Sequence, residues 1–170
     1  MSRVAQLPPN SYPARWLGFL LLALVALLLT GCRSEIETPV FTGCQTTLCC
    51  EECELVSVSR VIDGDTFDSP SGRVRLYGVD TPERREPCYN RATRRFRVLS
   101  GDRVRVQPGP RSQDPGGRFL YYVYTENGES IDEKLVREGL GRAWTRDGQH
   151  RDLLTTLEAE AQHKGEGCLW

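Results

Sequence analysis

The chain of 170 residues has very little lysine or histidine: Lys134 and Lys164 stand against twenty arginines, and His150 and His163 are its two histidines. Both histidines read as solvated residues in or near a polar helix face, so nothing points to an imidazole general base. The chain has no Gly-x-Ser-x-Gly turn, Walker loop or dinucleotide fingerprint. This removes elbow-serine hydrolases, P-loop nucleotidases and Rossmann oxidoreductases from the candidates. The apolar run at residues 16–29, 14 residues long, is short of the roughly 20 needed to span a bilayer. There are no internal repeats. The net charge of −1 names no partner.

Charge distribution says more than the total. Between Arg84 and Arg118 there are ten arginines against Glu86, Asp102 and Asp114, an excess of seven positive charges. A stretch of that kind can draw in a polyanion and steer its approach. The plainer alternative is a solvated, arginine-rich surface.

Residues 1–31 read as a leader rather than as part of the fold. Arg3 and Arg15 flank the start of the apolar run, which has the size of a signal-peptide core. The run ends in Leu29-Thr30-Gly31-Cys32, which resembles a bacterial lipobox. By that resemblance Cys32 receives a diacylglyceryl thioether and becomes the mature N-terminus. The protein is then an exported lipoprotein, anchored through Cys32 on the outer side of a bacterial membrane. Export leaves Cys44, Cys49, Cys50, Cys53, Cys88 and Cys168, an even number that suggests disulfides. Zinc is the rival for the Cys44–Cys53 group, but its cysteine pairs abut, whereas zinc knuckles separate theirs by a dozen or more residues. Residues 32–54, with Glu35, Glu37, Glu51, Glu52 and Glu54 against Arg33 and no hydrophobic periodicity, read as an acidic, Cys-rich tether.

Residues 55–170 are enough for one domain with a real core. Alternation predicts strands over 55–62, 73–77 and 103–107, a short strand continues over 66–69 after the Asp63-Gly64 turn, and aromatic and β-branched content predicts one over 118–124. Residues 108–117, rich in Pro and Gly, read as a loop. Helices are predicted over 90–99, from the Ser130/Glu133 capping pattern to Glu138, and over 151–164 with Leu153, Leu154, Leu157 and Ala161 on one stripe. Five short strands and about three helices fit an α+β, mainly β, five-stranded OB-fold barrel.

Two acidic clusters and two arginines carry the chemistry. The first cluster is Asp63-Gly64-Asp65-Thr66; Arg75 follows, then Asp80-Thr81-Pro82-Glu83, and far downstream Gly117-Arg118. Asp65, Asp80 and a carbonyl near Thr81 are oxygen donors suited to Ca2+. Glu83 is a candidate general base for a metal-side water. Arg75 and Arg118 can grip a phosphate with bidentate donors. Each piece alone is commonplace: Asp-Gly-Asp occurs in many turns, and strand arginines are usually surface residues. Together they describe a centre for metal-assisted phosphodiester cleavage.

The run Arg60-Val61-Ile62-Asp63-Gly64-Asp65-Thr66, followed by Val74-Arg75-Leu76-Tyr77-Gly78-Val79-Asp80-Thr81-Pro82-Glu83, resembles the staphylococcal nuclease (thermonuclease) family. Asp114-Pro115-Gly116-Gly117-Arg118, Leu135-Val136-Arg137-Glu138-Gly139-Leu140 and the terminal Leu169-Trp170 extend the likeness over 56–170. The resemblance implies an OB barrel with three helices. It implies calcium ligation by Asp65, Asp80 and the Thr81 carbonyl, Glu83 as general base, and Arg75 and Arg118 on the phosphate. It also implies cleavage of DNA and RNA, single strands preferred, with little sequence preference and 3′-phosphate ends, by a protein expected to be a monomer. A catalytically weak, membrane-tethered nucleic-acid-binding module of the same fold is the alternative. The chain departs from the family pattern where tyrosines are usual: Gly116, Thr145 and Asp147 stand there, with Trp144 adjacent. Base–aromatic stacking is worth roughly 1–3 kcal/mol per base, so these departures bear on nucleotide seating rather than on the catalytic set. The resembling topology also brings Cys88 and Cys168 together as a disulfide, leaving the four upstream cysteines to pair among themselves.

Changing Cys32 to Ala is expected to move the protein from membrane to soluble or unprocessed fractions. Detergent partitioning of a processed Cys32→Ala protein would overturn the lipobox reading.

Overall fold

The computed structural model describes residues 43–170; Cys32 and the leader lie outside that range. The segment predicted as one strand over 55–62 forms two short ones, β1 (Glu54–Ser57) and β2 (Arg60–Val61). β1 pairs antiparallel with β6 (Arg103–Gln113), and β2 with β3 (Thr66–Ser69). At the bend, Val58 N donates to Asp102 O and Ser59 N to Asp68 O, both at 2.8 Å. The rest of the sheet runs β3, β4 (Gly72–Leu76), β7 (Phe119–Thr125), β6, with β4 and β7 parallel. One bent strand thus pairs at both edges and closes the sheet into a five-stranded OB-type barrel.

Two features escape the sequence pattern. A second ladder, β5 (Val79–Asp80) with β8 (Arg142–Ala143), is two residues long, too short for any periodicity to register. Residues 108–117 are not all loop: β6 runs on to Gln113 across a register shift between Pro108 and Gln113. A bulge is where a strand tolerates the missing N–H groups of Pro108 and Pro110.

Three helices, α1 (Tyr89–Ser100), α2 (Ile131–Arg137) and α3 (Arg151–Lys164), cover the barrel. α1 buries Ala92 and Phe96, whose ring centre lies 6.0 Å from that of Phe67 in β3. α3 buries Leu154, Leu157 and Ala161 of the predicted stripe and leaves Leu153 half-buried against the core. Val74, Leu76, Val104 and Val123 fill the barrel interior; fully burying one such side chain stabilises by roughly 1.5–3 kcal/mol. His150 is not a solvated residue as expected: it is half-buried, its ring centre 4.5 Å from that of Tyr122. Burial lowers its pKa.

The predicted capping box at α2 is half formed. Ser130 accepts from Glu133 N at 3.1 Å, but Glu133 does not reach back. Its carboxylate accepts instead from Thr47 N at 3.0 Å and Leu48 N at 2.8 Å, with Arg137 at 2.8 Å. Ser130 N donates to Thr46 Oγ1 and Leu48 O. The described end of the Cys-rich segment therefore packs on the domain, shaped by Cys44–Cys49 and Cys50–Cys53 disulfides. A third disulfide joins Cys88 to Cys168 with Cα atoms 5.6 Å apart. In the chain-entropy model a loop of that length stabilises by roughly 4–4.5 kcal/mol.

Asp132 is fully buried at the start of α2, and its carboxylate accepts from Gly78 N at 2.7 Å and Val123 N at 2.9 Å. It thereby fixes the β4–β5 turn to β7. Burial pushes its pKa from 3.8 up to about 7, against the pull of those N–H donors. A raised folded value means the folded state holds this proton where the unfolded chain has released it. The contribution is present below the unfolded value and is lost as pH rises through the folded one. His150, depressed, acts in the opposite sense below about pH 6.5. Asp132→Asn should therefore remove a fall in stability between about pH 4 and 7. The readout is the difference between wild-type and mutant denaturation midpoints, in which His150 cancels; a pH-independent difference would contradict it. Asp132→Ala strands two buried N–H groups and should cost about 2–5 kcal/mol.

Candidate active site

The β2–β3 turn brings the first acidic cluster to the barrel rim. Asp65 N donates to Asp63 Oδ1 at 3.1 Å, a side-chain-to-backbone turn that Asp favours. A Cβ on Gly64 would lie 2.6 Å from Thr81 Oγ1 and 2.9 Å from the Ala92 Cβ. Only glycine lets this turn sit so close to Thr81. Asp65 is buried. Its Oδ1 accepts from Thr66 Oγ1 at 2.9 Å, and its Oδ2 from Thr81 N at 2.8 Å and Thr81 Oγ1 at 3.0 Å.

Arg75, on β4 and directly opposite Thr66 in the ladder, fills the space between the two acidic clusters. Its Nη1 lies 3.5 Å from Asp65 Oδ2 and donates to Leu76 O and Val79 O, both at 3.2 Å. Its Nη2 donates to Asp80 Oδ1. The structure thus brings Asp65, Arg75, Asp80 and Thr81 into one knot. Asp80 is half exposed where Asp65 is not. Glu83 stands in the loop after Pro82, exposed, its backbone N held at 2.7 Å by Glu86 Oε2. Burial, and then the carboxylates of Asp65 and Glu83, raise the pKa of Asp63. Negative charge is therefore concentrated at this rim.

Arg118 approaches from the loop between β6 and β7. Asp114 shapes that loop: its Oδ1 accepts from Gly116 N at 2.9 Å and Arg118 N at 3.0 Å, and its Oδ2 takes Arg118 Nε at 2.6 Å. Burial alone would raise the Asp114 pKa, but the Arg118 hydrogen bonds and charge outweigh it and hold the carboxyl low. Arg75 and Arg118 line a single cleft of about 360 Å³, together with Tyr77, Trp144 and the Arg111–Asp147 pair. Trp144 has Arg75 5.8 Å and Arg146 5.1 Å from its ring centre, and its Nε1 donates to Asp147 Oδ1 at 2.8 Å. Arg111 grips Asp147 at 2.6 Å and, through that hydrogen bond first, pulls the carboxyl down to about 2.

A hard cation suits this donor set, which is all oxygen. Asp65 already accepts three hydrogen bonds, and no group of three or more acidic, His or Cys side chains stands ready for a metal among the described residues. The side chains can offer Asp65 and Asp80, and a bound ion must complete its shell with carbonyls, water and substrate.

The staphylococcal nuclease homologue family profile matches residues 73–170. The chain belongs to the staphylococcal nuclease family. It is 39% identical over 120 residues to a thermonuclease of Staphylococcus intermedius, covering 63% of this chain and 71% of that one. It is 39% identical over 97 residues to a thermonuclease of Staphylococcus hyicus, covering 51% of this chain and 57% of the relative. An uncharacterized endonuclease of Escherichia coli is 33% identical over 119 residues, covering 66% and 74% respectively.

The structure gathers Asp65, Arg75, Asp80 and Thr81 at the rim and puts Arg118 on the cleft shared with Arg75, with support from side chains to which the sequence reading assigned no part. Thr66 and the Thr81 hydroxyl orient Asp65, Asp114 orients Arg118, and Arg111 neutralises Asp147. Thr66 and Asp114 stood within the quoted motifs, the latter as the head of the Pro-Gly-Gly-Arg loop, whereas Arg111 carried no sequence signal. The arginine excess over 84–118 is also partly cancelled by the fold. Arg95, Arg103, Arg111 and Arg118 pair with Glu138, Glu126, Asp147 and Asp114, three of which lie outside that stretch.

Gly64→Ala should drive Thr81 off Asp65 and cost about 1–3 kcal/mol by overpacking, measured by denaturant titration. Asp114→Ala should free the Arg118 guanidinium and slow turnover by up to about 10²-fold with little change in melting temperature. An unchanged rate in the Asp114→Ala protein would show that Arg118 needs no such holder.

Proposed function

We propose that this nuclease is calcium-dependent, cleaving DNA and RNA with little sequence preference and leaving 3′-phosphate ends. Hydrolysis of nucleic-acid phosphodiester bonds follows from family membership. The observation that supports the finer reading is the convergence of Asp65 and Asp80 on the Arg75 guanidinium beside a cleft shared with Arg118. Asp65, Asp80 and the Thr81 carbonyl would hold calcium, which when bound supplies Lewis-acid polarisation of a phosphoryl oxygen.

The chain's own residues do the rest. Arg75 and Arg118 seat the phosphate and stabilise the charge that grows on its oxygens as water attacks. Glu83, exposed on its loop, takes the proton from the attacking water. The new P–O bond forms from water and the P–O5′ bond breaks, leaving a 3′-phosphate on one fragment and a 5′-hydroxyl on the other. Pro82 limits the backbone just before Glu83 and biases Thr81 toward extended geometry. A cleft of about 360 Å³ admits one nucleotide-sized group, which suits a flexible single strand better than a stiff duplex. Anchoring through Cys32 would place a monomer of this enzyme on the outer side of a bacterial membrane, facing extracellular nucleic acid.

The full-length protein should release acid-soluble nucleotides from single-stranded DNA and RNA with calcium and not with excess EGTA. Arg75→Ala or Arg118→Ala should cut turnover by at least about 10²–10³, the typical loss of one preorganised donor. Lysine should rescue poorly, because it lacks the bidentate fork. Activity undiminished in EGTA, or an Arg118→Ala protein as fast as wild type, would sink this reading.

A further inference from the structure

A phosphodiester has two ester arms, so a strand held at Arg75 and Asp80 must leave the centre in two directions. The Arg75–Arg118 cleft takes one of them. Asp80 also borders a separate recess of about 400 Å³, bounded by Pro82, Pro87, Arg142 and Leu169. The geometry points to this recess as a second nucleotide subsite, receiving the arm of the same strand on the other side of the scissile phosphate, with Arg142 gripping the next phosphate.

The β5–β8 ladder sets Arg142 directly opposite Asp80. Arg142 is exposed and has no carboxylate within 4.0 Å among the described residues. Its guanidinium carbon sits 5.2 Å from the centre of the Trp170 ring. Contact with an aromatic face positions the cation without neutralising it or using up its N–H donors. Pro82, Pro87 and Leu169 give the recess apolar surface on which a sugar or base can lie. Its floor is held in place: Cys168 is tied to Cys88, Cys168 N donates to Gly139 O at 3.3 Å, and Arg91 Nη1 donates to Gly167 O at 3.1 Å. A recess so fixed needs little ordering on binding. Of the two acids at its edge, Asp80 pairs with Arg75 and Glu86 is engaged with Glu83 N. The same turn carries Arg84 and Arg85, exposed and equally free of carboxylate partners among the described residues, which offset the charges of Glu83 and Glu86.

This inference rests on the nuclease reading above, and its test separates the two. Full-length wild type and Arg142→Ala are compared on short single-stranded oligonucleotides with one cleavable bond, extended on the 5′ flank or on the 3′ flank. KM should rise about tenfold for substrates extended on one flank only, with kcat kept and with partial recovery in Arg142→Lys. An equal penalty on every substrate, or none on any, overturns the subsite. Fluorescence anisotropy of a longer oligonucleotide in EDTA needs no turnover. There the slope of log K against log salt should fall by about 0.7 in Arg142→Ala, one single-strand phosphate contact. An unchanged slope contradicts the proposal, whereas wild-type protein that binds but never cleaves refutes the nuclease reading and leaves the role of Arg142 decided by the slope.

Discussion

One guanidinium facing two carboxylates organises this molecule. Arg75 is largely buried, with Asp65 beneath it and Asp80 at its open side. Asp65 can be buried because Thr66, Thr81 and Arg75 satisfy its oxygens; a buried carboxylate stripped of its partner typically costs about 3–5 kcal/mol. The knot keeps one negative charge uncancelled near the exposed Asp80. It therefore attracts a cation while presenting an arginine to an anion. A centre for phosphate chemistry needs both signs within a few ångströms, and neither acidic cluster supplies both alone.

The fold serves that knot by holding its parts from different directions. The barrel supplies Arg75 and, through the β2–β3 turn, Asp65. Asp132 pins Gly78, midway between Arg75 and the Asp80–Thr81 pair. β8 braces Asp80 from outside the barrel, and α1 packs Ala92 close under Gly64. Mutations distant from the rim can thus act on chemistry through these struts, since a displacement of about 1 Å can cost about 10² in rate.

Much of this was legible in the residues. Alternation at 73–77 and 103–107, the aromatic and β-branched run at 118–124 and the leucine stripe of α3 marked core elements because burial favours those patterns. The acidic and arginine residues stood out only as a combination, and the structure brings Asp65, Arg75, Asp80 and Thr81 together. The double role of residues 54–61 was not, because a bend that switches partners leaves the alternation intact. Nor was the use of Glu133: a capping pattern is local, and the competing donors Thr47 and Leu48 come from more than eighty residues away. His150 was misjudged for a similar reason, since only the tertiary contact with Tyr122 buries it. The replacement of tyrosines by Thr145 and Asp147 was visible, but its consequence was not. The cleft wall is rebuilt from Trp144, Arg146 and the Arg111–Asp147 pair.

The central claim is that Asp65 and Asp80 form one cation site around Arg75. Calorimetric titration of calcium into the protein without substrate tests it most directly. The account predicts one site in wild type, weakened at least about tenfold by Asp65→Asn or by Asp80→Asn, with the double substitution abolishing binding. Calcium binding of wild-type strength in the folded double mutant would place the metal elsewhere and contradict the account.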